Sequence, residues 1–167
     1  MTKRNIGILH PGNMGVSIAA SAQNSGHAVY WVSEGRNAQT HERAERFGLR
    51  DACSLHELCA TCSVIVSACP PHASEEVADQ VLAHSFRGLY LDANAISPQR
   101  DRRIGLAVEG AGATFVDGGI IGGPAWEPGR TWLHLAGPHA EAAASLFSAG
   151  PLETSVMGEE VEKSSAL

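Results

Sequence analysis

Short apolar segments alternate with amphipathic segments along most of the chain. Residues 6–9 and 28–32 are apolar segments of strand length, and the uninterrupted apolar run 62–68 is typical of a strand covered on both faces. Further strands are predicted at 49–52, 89–93, 114–116, 131–136 and 154–157. Helices are predicted at 13–25, 38–47, 74–84 and 138–147, from 97 to a glycine at 110 or 112, and over a short segment after Ser54. Strand–helix units with short connections predict an α/β fold with a doubly wound, mainly parallel sheet and helices on both faces.

The first predicted strand runs into a glycine-containing turn, residues 10–15 (HPGNMG), and then into a helix. Gly12 would let the backbone approach a pyrophosphate, and Gly15 would let the helix pack closely on the sheet. Free N–H groups and the positive end of the helix dipole would then face the phosphates. This order predicts a Rossmann-type dinucleotide site. His10 stands where the G-x-G-x-x-G pattern has its first glycine, and it is interpreted either as a turn residue bonded to the backbone or as a cofactor contact.

The cofactor type depends on the residues after the second strand, 33–36 (SEGR). NAD enzymes usually place an acidic residue here to bind the ribose 2′-hydroxyl. NADP enzymes offer a small polar group and an arginine, because a guanidinium binds the 2′-phosphate bidentately. Ser33 at the strand tip and Arg36 favour NADP, whereas Glu34 supports the alternative, NAD.

Composition narrows the class of protein further. The chain has 167 residues, 44% of them hydrophobic, which predicts one domain with a substantial core. A formal net charge of −6 without a long basic run argues against nucleic-acid binding. No apolar stretch approaches the roughly 20 residues of a membrane span, and no signal peptide is recognisable. The four cysteines are interpreted as reduced thiols of a cytoplasmic protein, although Cys59 and Cys62 have redox-motif spacing, and no metal site is indicated.

Four motifs occur in a characteristic order, at residues 8–15, 67–71, 92–98 and 117–123. In this order the chain resembles the N-terminal NAD(P)-binding domain of the 6-phosphogluconate dehydrogenase and β-hydroxyacid dehydrogenase superfamily, which includes the imine reductases. The resemblance extends over essentially the whole chain. Two departures are His10 in place of a glycine and Ile120-Ile121 in place of a polar substrate contact, which argues against a sugar-phosphate substrate.

The resemblance assigns contacts to several parts of the chain, in addition to His10 and to the ribose-binding candidates Ser33, Glu34 and Arg36. It implies Pro11, Gly12, Asn13 and Met14 at the pyrophosphate, Cys69, Pro70 and Pro71 along the cofactor's ribose, Asn94 and Ala95 near the nicotinamide, and Gly122 and Gly123 in a substrate loop.

The implied function is that of the NADP-binding domain of an oxidoreductase, which transfers hydride between nicotinamide and a hydroxy acid, carbonyl or imine. Residues 1–157 would form this domain, and residues 158–167 would begin the helix that leads to an absent helical domain. Because family members carry the proton-transfer group in that second domain, no catalytic residue is assigned here and little turnover is expected from this chain alone. The oligomeric state stays open, since a homodimer would form mostly through the second domain. The alternative is a non-catalytic dinucleotide sensor or interaction module. A short-chain dehydrogenase is excluded, because neither Tyr30 nor Tyr90 has a lysine four positions later.

Overall fold

The computed structural model describes residues 2–159, which form eight strands, six α-helices and one turn of 3₁₀ helix at Pro71–Ala73. The strands are β1 (Asn5–Leu9), β2 (Ala28–Trp31), β3 (Arg50–Asp51), β4 (Val64–Ser67), β5 (Leu89–Asp92), β6 (Thr114–Ile121), β7 (Trp132–Ala136) and β8 (Glu153–Val156). The helices are α1 (Asn13–Asn24), α2 (Ala38–Arg46), α3 (Leu55–Thr61), α4 (Ser74–Ala83), α5 (Pro98–Gly110) and α6 (Ala140–Ser145).

All eight strands belong to one sheet in the order β3-β2-β1-β4-β5-β6-β7-β8. The first six are parallel, β7 is antiparallel to β6, and β8 is parallel to β7. Strand order reverses between β1 and β4, so the connections after these two neighbouring strands leave in opposite directions. A crevice at their carboxyl ends is the usual ligand site of such sheets. The predicted doubly wound, mainly parallel Rossmann-type fold is confirmed.

The core consists of two apolar clusters, one on each face of the sheet. Along β4 the side chains alternate, so that Val64 and Val66 belong to one cluster and Ile65 to the other. The first cluster is completed by residues of α1, α2 and α6, and the second by residues of α3, α4 and α5. Helices therefore cover both faces, which explains the uninterrupted apolar sequence of β4.

Side-chain caps begin three of the helices. Asn37 accepts a hydrogen bond from the Thr40 N–H at the start of α2, and Ser54 and Ser97 cap α3 and α5 in the same way. Pro98 occupies the first turn of α5, as the sequence predicts. Helices α1, α4 and α6 have no side-chain cap, and at α1 the N-cap residue is Gly12, which has no side chain to provide one. The first-turn N–H groups of α1 are thus left for another partner.

Strand β6 is longer than its predicted extent, 114–116. It continues to Ile121 because β7 folds back beside it, pairing Asp117 with Ala136 and Ile121 with Trp132. Helix α6, at Ala140–Ser145, is shorter than the predicted helix 138–147. The helix predicted to begin within 158–167 lies almost entirely outside the described residues, and residues 158 and 159 are not helical.

Candidate functional site

The turn between β1 and α1 presents backbone donors to an open space. Gly12 has φ −74° and ψ −168°, its N–H donates to the His10 carbonyl at 2.8 Å, and its carbonyl accepts from Val16 N–H at 2.9 Å. A Cβ atom built on Gly12 would meet no atom within 4 Å. The next N–H groups, those of Asn13 and Met14, have no intrahelical acceptor because they lie in the first turn. Donors, dipole and space together suit an anion at this corner.

Gly15 has a different role in the same turn. A Cβ atom there would overlap the His10 carbonyl oxygen and would lie 3.5 Å from Cγ1 of Ile8. Only a glycine therefore lets α1 start so close to the end of β1. This agrees with the packing role that the sequence predicts for the last glycine of the motif.

His10 holds the turn through its main chain. Its N–H donates to the Ala68 carbonyl at 3.2 Å and its carbonyl accepts from Gly12. The ring is partly buried, and Nδ1 is fully buried without a hydrogen-bond partner among the described residues. Burial, with a smaller contribution from the Arg36 charge, lowers the pKa of His10 from 6.5 to about 4. The imidazole is therefore neutral at physiological pH. His10 is therefore a turn residue whose main chain is hydrogen-bonded to Ala68 and Gly12, whereas its ring takes no part in these bonds.

His10 is one of the residues that line a cavity of about 170 Å³ between the end of β2 and helices α3 and α4. Four apolar residues line it, namely Leu9, Val32, Leu55 and Val77. The four polar residues of the lining are His10, Glu34, Arg36 and Gln80. This volume is below the ~300–1,000 Å³ of sites that hold a whole drug-sized ligand. The cavity suits one ring system of a larger ligand that extends along the sheet edge.

The segment after β2 brings both cofactor-type candidates to that cavity. Glu34 N–H donates to the Cys53 carbonyl at 3.2 Å, and Arg36 N–H donates to the Ser33 carbonyl at 3.1 Å across a turn in which Gly35 has φ +74°. Glu34 and Arg36 are exposed, and Ser33 is half-buried. Glu34 and Arg36 thus both belong to the lining of this cavity.

The ends of β4 and β5 are joined by the side chain of Asn94. Its Oδ1 accepts from Cys69 N–H at 2.8 Å, and its Nδ2 donates to Ser67 Oγ at 3.0 Å. Asn94 is buried, with 4% of its surface exposed, whereas Ala95, Pro70 and Pro71 are exposed beside it. The structure therefore shows Asn94 as a brace between two loops.

Asp92, at the end of β5, is a buried carboxyl group. Its Oδ1 accepts from Asn94 N–H at 2.8 Å, while Oδ2 has no hydrogen-bond partner among residues 2–159. Burial raises the pKa of Asp92 to about 7; the bond from Asn94 opposes this rise, and the neighbouring Asp117, its register partner on β6, adds to it. From sequence, an aspartate at this strand end is expected either to cap the following turn or to lie near the cofactor, and the structure shows the Asp92 carboxylate accepting from the turn.

The glycine loop after β6 is fixed by polar contacts at its base. Gly122 has φ +115°, and Thr131 Oγ1 donates to the Gly123 carbonyl at 2.7 Å. Buried Ala125 donates its N–H to Ser17 Oγ of α1 at 2.9 Å. Gly122 and Gly123 themselves are exposed, beside a cleft of about 500 Å³ that also includes Trp126. The contact from Ser17 was not predicted, because it joins residues 108 positions apart.

The cysteines are the remaining candidates for chemistry: Cys69 borders the crevice, since its N–H is bonded to Asn94, whereas Cys59 and Cys62 lie at the end of α3. All four cysteines are free, and burial raises the pKa of Cys59 to about 11 and that of Cys62 to about 12, the latter helped by Cys59. These values describe protonated thiols with little nucleophilic character. In the part of the chain that the structure covers, no three His, Cys, Asp or Glu side chains are grouped so as to hold a metal ion. No helix there has the length and apolar character needed to cross a bilayer.

Most of the chain matches a known protein family. Residues 5–147 match the family model described as the NAD binding domain of 6-phosphogluconate dehydrogenase. No curated protein sequence matches the chain.

Among solved structures, 3-hydroxyisobutyrate dehydrogenase from Mycobacterium tuberculosis is 21% identical, with a TM-score of 0.83, and the match covers 99% of this chain and 57% of that one. A variant imine reductase from Myxococcus stipitatus in complex with NAD⁺ is 20% identical, with a TM-score of 0.80 and coverage of 99% and 58%. A reductive aminase from Aspergillus terreus in complex with NADPH and ethyl levulinate is 17% identical, with a TM-score of 0.80 and the same coverage. The chain thus spans less than two thirds of the length of these proteins.

Proposed function

Because the chain belongs to the family of NAD-binding domains of 6-phosphogluconate dehydrogenase, we propose that it is the NADP-binding part of an oxidoreductase. The enzyme would transfer hydride between nicotinamide and a hydroxy acid, carbonyl or imine. The observation that carries this proposal is the uncapped start of α1, where Gly12 faces open space. The bound nicotinamide supplies the hydride chemistry, and the protein binds and orients it.

The residues of the crevice fit the parts of a dinucleotide. Gly12, Asn13 and Met14 would bind the pyrophosphate through main-chain N–H groups, with Pro11 shaping the turn. The adenine would enter the cavity beside His10, whose neutral ring can pack against a base without placing a charge there.

The second half of the cofactor would follow the carboxyl ends of β4 and β5. Cys69, Pro70 and Pro71 would lie along its ribose, and Asn94 and Ala95 near the nicotinamide. Since the Asn94 side chain is already bonded to Ser67 and Cys69, its contribution would be to hold these loops in place. Gly122 and Gly123 would border the substrate, next to the cleft that contains Trp126.

NADP is favoured over NAD because Arg36 lines the proposed adenosine cavity, and because the residue at the strand tip is the small Ser33, whose carbonyl accepts the Arg36 N–H across the turn. A 2′-phosphate is doubly charged near neutral pH, so a guanidinium that contacts it stabilises binding more than it would for a 2′-hydroxyl. The solved relatives include one complex with NAD⁺ and one with NADPH, so this choice depends on these residues.

Titration with both cofactors, followed by nicotinamide fluorescence, tests the assignment. NADPH should bind more tightly than NADH, and Arg36→Gln should weaken NADPH binding about tenfold while changing NADH binding little. Glu34→Gln is the matched control at the same cavity and should not weaken NADPH. Equal affinities for the two cofactors, or NADH binding more tightly, would contradict the choice of NADP.

We propose that the group that transfers the proton lies outside the cofactor domain. The chain covers 57–58% of the solved relatives described above, and we place the cofactor domain at residues 1–157. Purified chain should therefore bind NADPH without oxidising it when small carbonyl or imine compounds are added. Substrate-dependent loss of NADPH absorbance at a rate typical of an enzyme would overturn this part of the proposal.

A further inference from the structure

A side chain from α2 holds the backbone of the glycine turn. Arg43 Nη1 donates to the Pro11 carbonyl at 3.1 Å, joining residues 32 positions apart. Arg43 is half-buried, at the side of a groove of about 590 Å³ between α1, α2 and the loop after β6. One turn later, Arg46 lines the same groove, with its guanidinium 5.5 Å from the centre of the Phe47 ring.

The bond from Arg43 completes the attachment of one peptide unit. The Pro11 carbonyl and the Gly12 N–H belong to the same planar peptide, and the N–H already donates to the His10 carbonyl at 2.8 Å. With both ends bonded, the peptide cannot rotate about its flanking torsions without losing a hydrogen bond. The direction of the following N–H groups, those of Asn13 and Met14, is therefore fixed from outside the turn.

The arrangement matters because α1 has no other cap. At the starts of α2, α3 and α5 a side chain of the N-cap residue fixes the first turn, whereas Gly12 has no side chain to do so. A glycine at this position is also the residue with the most backbone freedom. An external donor restores order to the turn and leaves the space before Gly12 open.

We propose that Arg43 is a positioning residue for pyrophosphate binding: through the Pro11 carbonyl it fixes the turn whose N–H groups receive the phosphates. This inference rests on the proposed dinucleotide function. Arg43 is not assigned to touch the cofactor, so its effect should be detectable in the free protein as well as in binding.

The experiment compares Arg43→Met with Arg46→Met, which removes a cation from the same last turn of α2. Two quantities are measured: the Kd for NADPH, and the hydrogen-exchange rate of the Gly12 amide by NMR without cofactor. Arg43→Met should weaken NADPH binding about tenfold and speed Gly12 exchange by a similar factor, because a hydrogen bond to a charged group is lost. Arg46→Met should change neither by more than about twofold, and Arg43→Lys, which keeps a charged donor, should fall between.

The outcomes separate the inference from the function on which it rests. If the unsubstituted chain does not bind NADPH, the proposed function fails, and Gly12 exchange alone decides whether Arg43 orders the turn. If it binds NADPH but Arg43→Met and Arg46→Met are alike in affinity or in Gly12 exchange, the positioning role of Arg43 is wrong. Should Arg43→Met fail to fold, Arg43→Lys is compared with Arg46→Lys by the same two measurements and the same criteria.

Discussion

Replacing Gly12 by alanine should separate ligand binding from folding. At φ −74° and ψ −168° alanine is unstrained, and its Cβ would meet no protein atom within 4 Å. Restricting the unfolded chain would stabilise the fold by about 0.4–1 kcal/mol. Alanine is a poorer N-cap than glycine by a comparable amount, roughly 0.5–1 kcal/mol. The free energy of unfolding should therefore change by no more than about 0.5 kcal/mol.

The same methyl group would occupy the space through which a pyrophosphate reaches the first turn of α1. A phosphate forced outward loses good geometry with the N–H groups of Asn13 and Met14. Two weakened charge-assisted hydrogen bonds correspond to about 1.5–3 kcal/mol, or roughly a tenfold to hundredfold rise in the Kd for NADPH. Gly12→Ala is thus expected to be a folded chain that binds its cofactor poorly.

Gly15→Ala is the matched comparison in the same turn, and it should act mainly on stability. Its Cβ would overlap the His10 carbonyl oxygen and lie 3.2 Å from the carbonyl carbon, and these backbone atoms cannot move aside as a side chain can. Overpacking of this kind costs about 1–3 kcal/mol, or roughly 2–12 °C in Tm for a chain of this size.

Thermal unfolding followed by circular dichroism and NADPH titration by fluorescence, both applied to the two variants, provide the test. The expected pattern is normal Tm with weak binding for Gly12→Ala and a lowered Tm for Gly15→Ala. NADPH binding by Gly12→Ala at the unsubstituted affinity would refute the location of the pyrophosphate. A large loss of stability in Gly12→Ala would show that the space next to Gly12 is not open in the folded chain, and it would refute the assignment of that space to a ligand.

Two further substitutions test the polar contacts around the crevice. Ser17→Ala should lower the free energy of unfolding by about 1–3 kcal/mol, because the buried N–H of Ala125 loses its acceptor. Urea unfolding measures this effect, and Ser145→Ala is the control, because the Ser145 hydroxyl donates to the Ala142 carbonyl within α6. Asp92→Asn should change the pH dependence of stability. The raised pKa of Asp92, about 7 against 3.8, means that the folded chain binds more protons between these values, so its contribution is lost as pH rises through that window. The lowered pKa of His10 acts oppositely between about 4 and 6.5. The free energy of unfolding is therefore measured for the variant and for the unsubstituted chain at pH 5 and at pH 8. Between these two pH values, the stability of Asp92→Asn relative to the unsubstituted chain should rise by about 1–4 kcal/mol. The same difference in stability at both pH values would contradict the raised pKa of Asp92.

Local sequence signals were sufficient for most of the fold. The continuous apolar run of β4, the cap at Ser54 and the Ser97-Pro98 start of α5 each act within one element, and each is found where it was predicted. The end of β6 was missed for a non-local reason. Residues 117–121 include two glycines and an aspartate, which disfavour strands locally, and they are extended because β7 pairs beside them.

The same distinction applies to the candidate site. The glycine turn is a local motif, and the sequence places it correctly between β1 and α1. The contacts from Arg43 to Pro11 and from Ser17 to Ala125 join distant segments, so no window of sequence contains them. For Asn94 the motif indicates the loop after β5, but the direction of its side chain follows from the position of β4, which only the folded sheet determines.

The crevice between β1 and β4 is held on both sides by hydrogen bonds between loops. On one side the His10 N–H donates to the Ala68 carbonyl, which ties the glycine turn to the loop after β4. On the other side Asn94 joins Ser67 and Cys69, which ties that same loop to the one after β5. Since these bonds fix the three loops relative to one another, a dinucleotide that spans them would need little further ordering of the backbone. Binding free energy is then lost mainly to the ordering of the flexible cofactor itself, which is the advantage of a preorganised site.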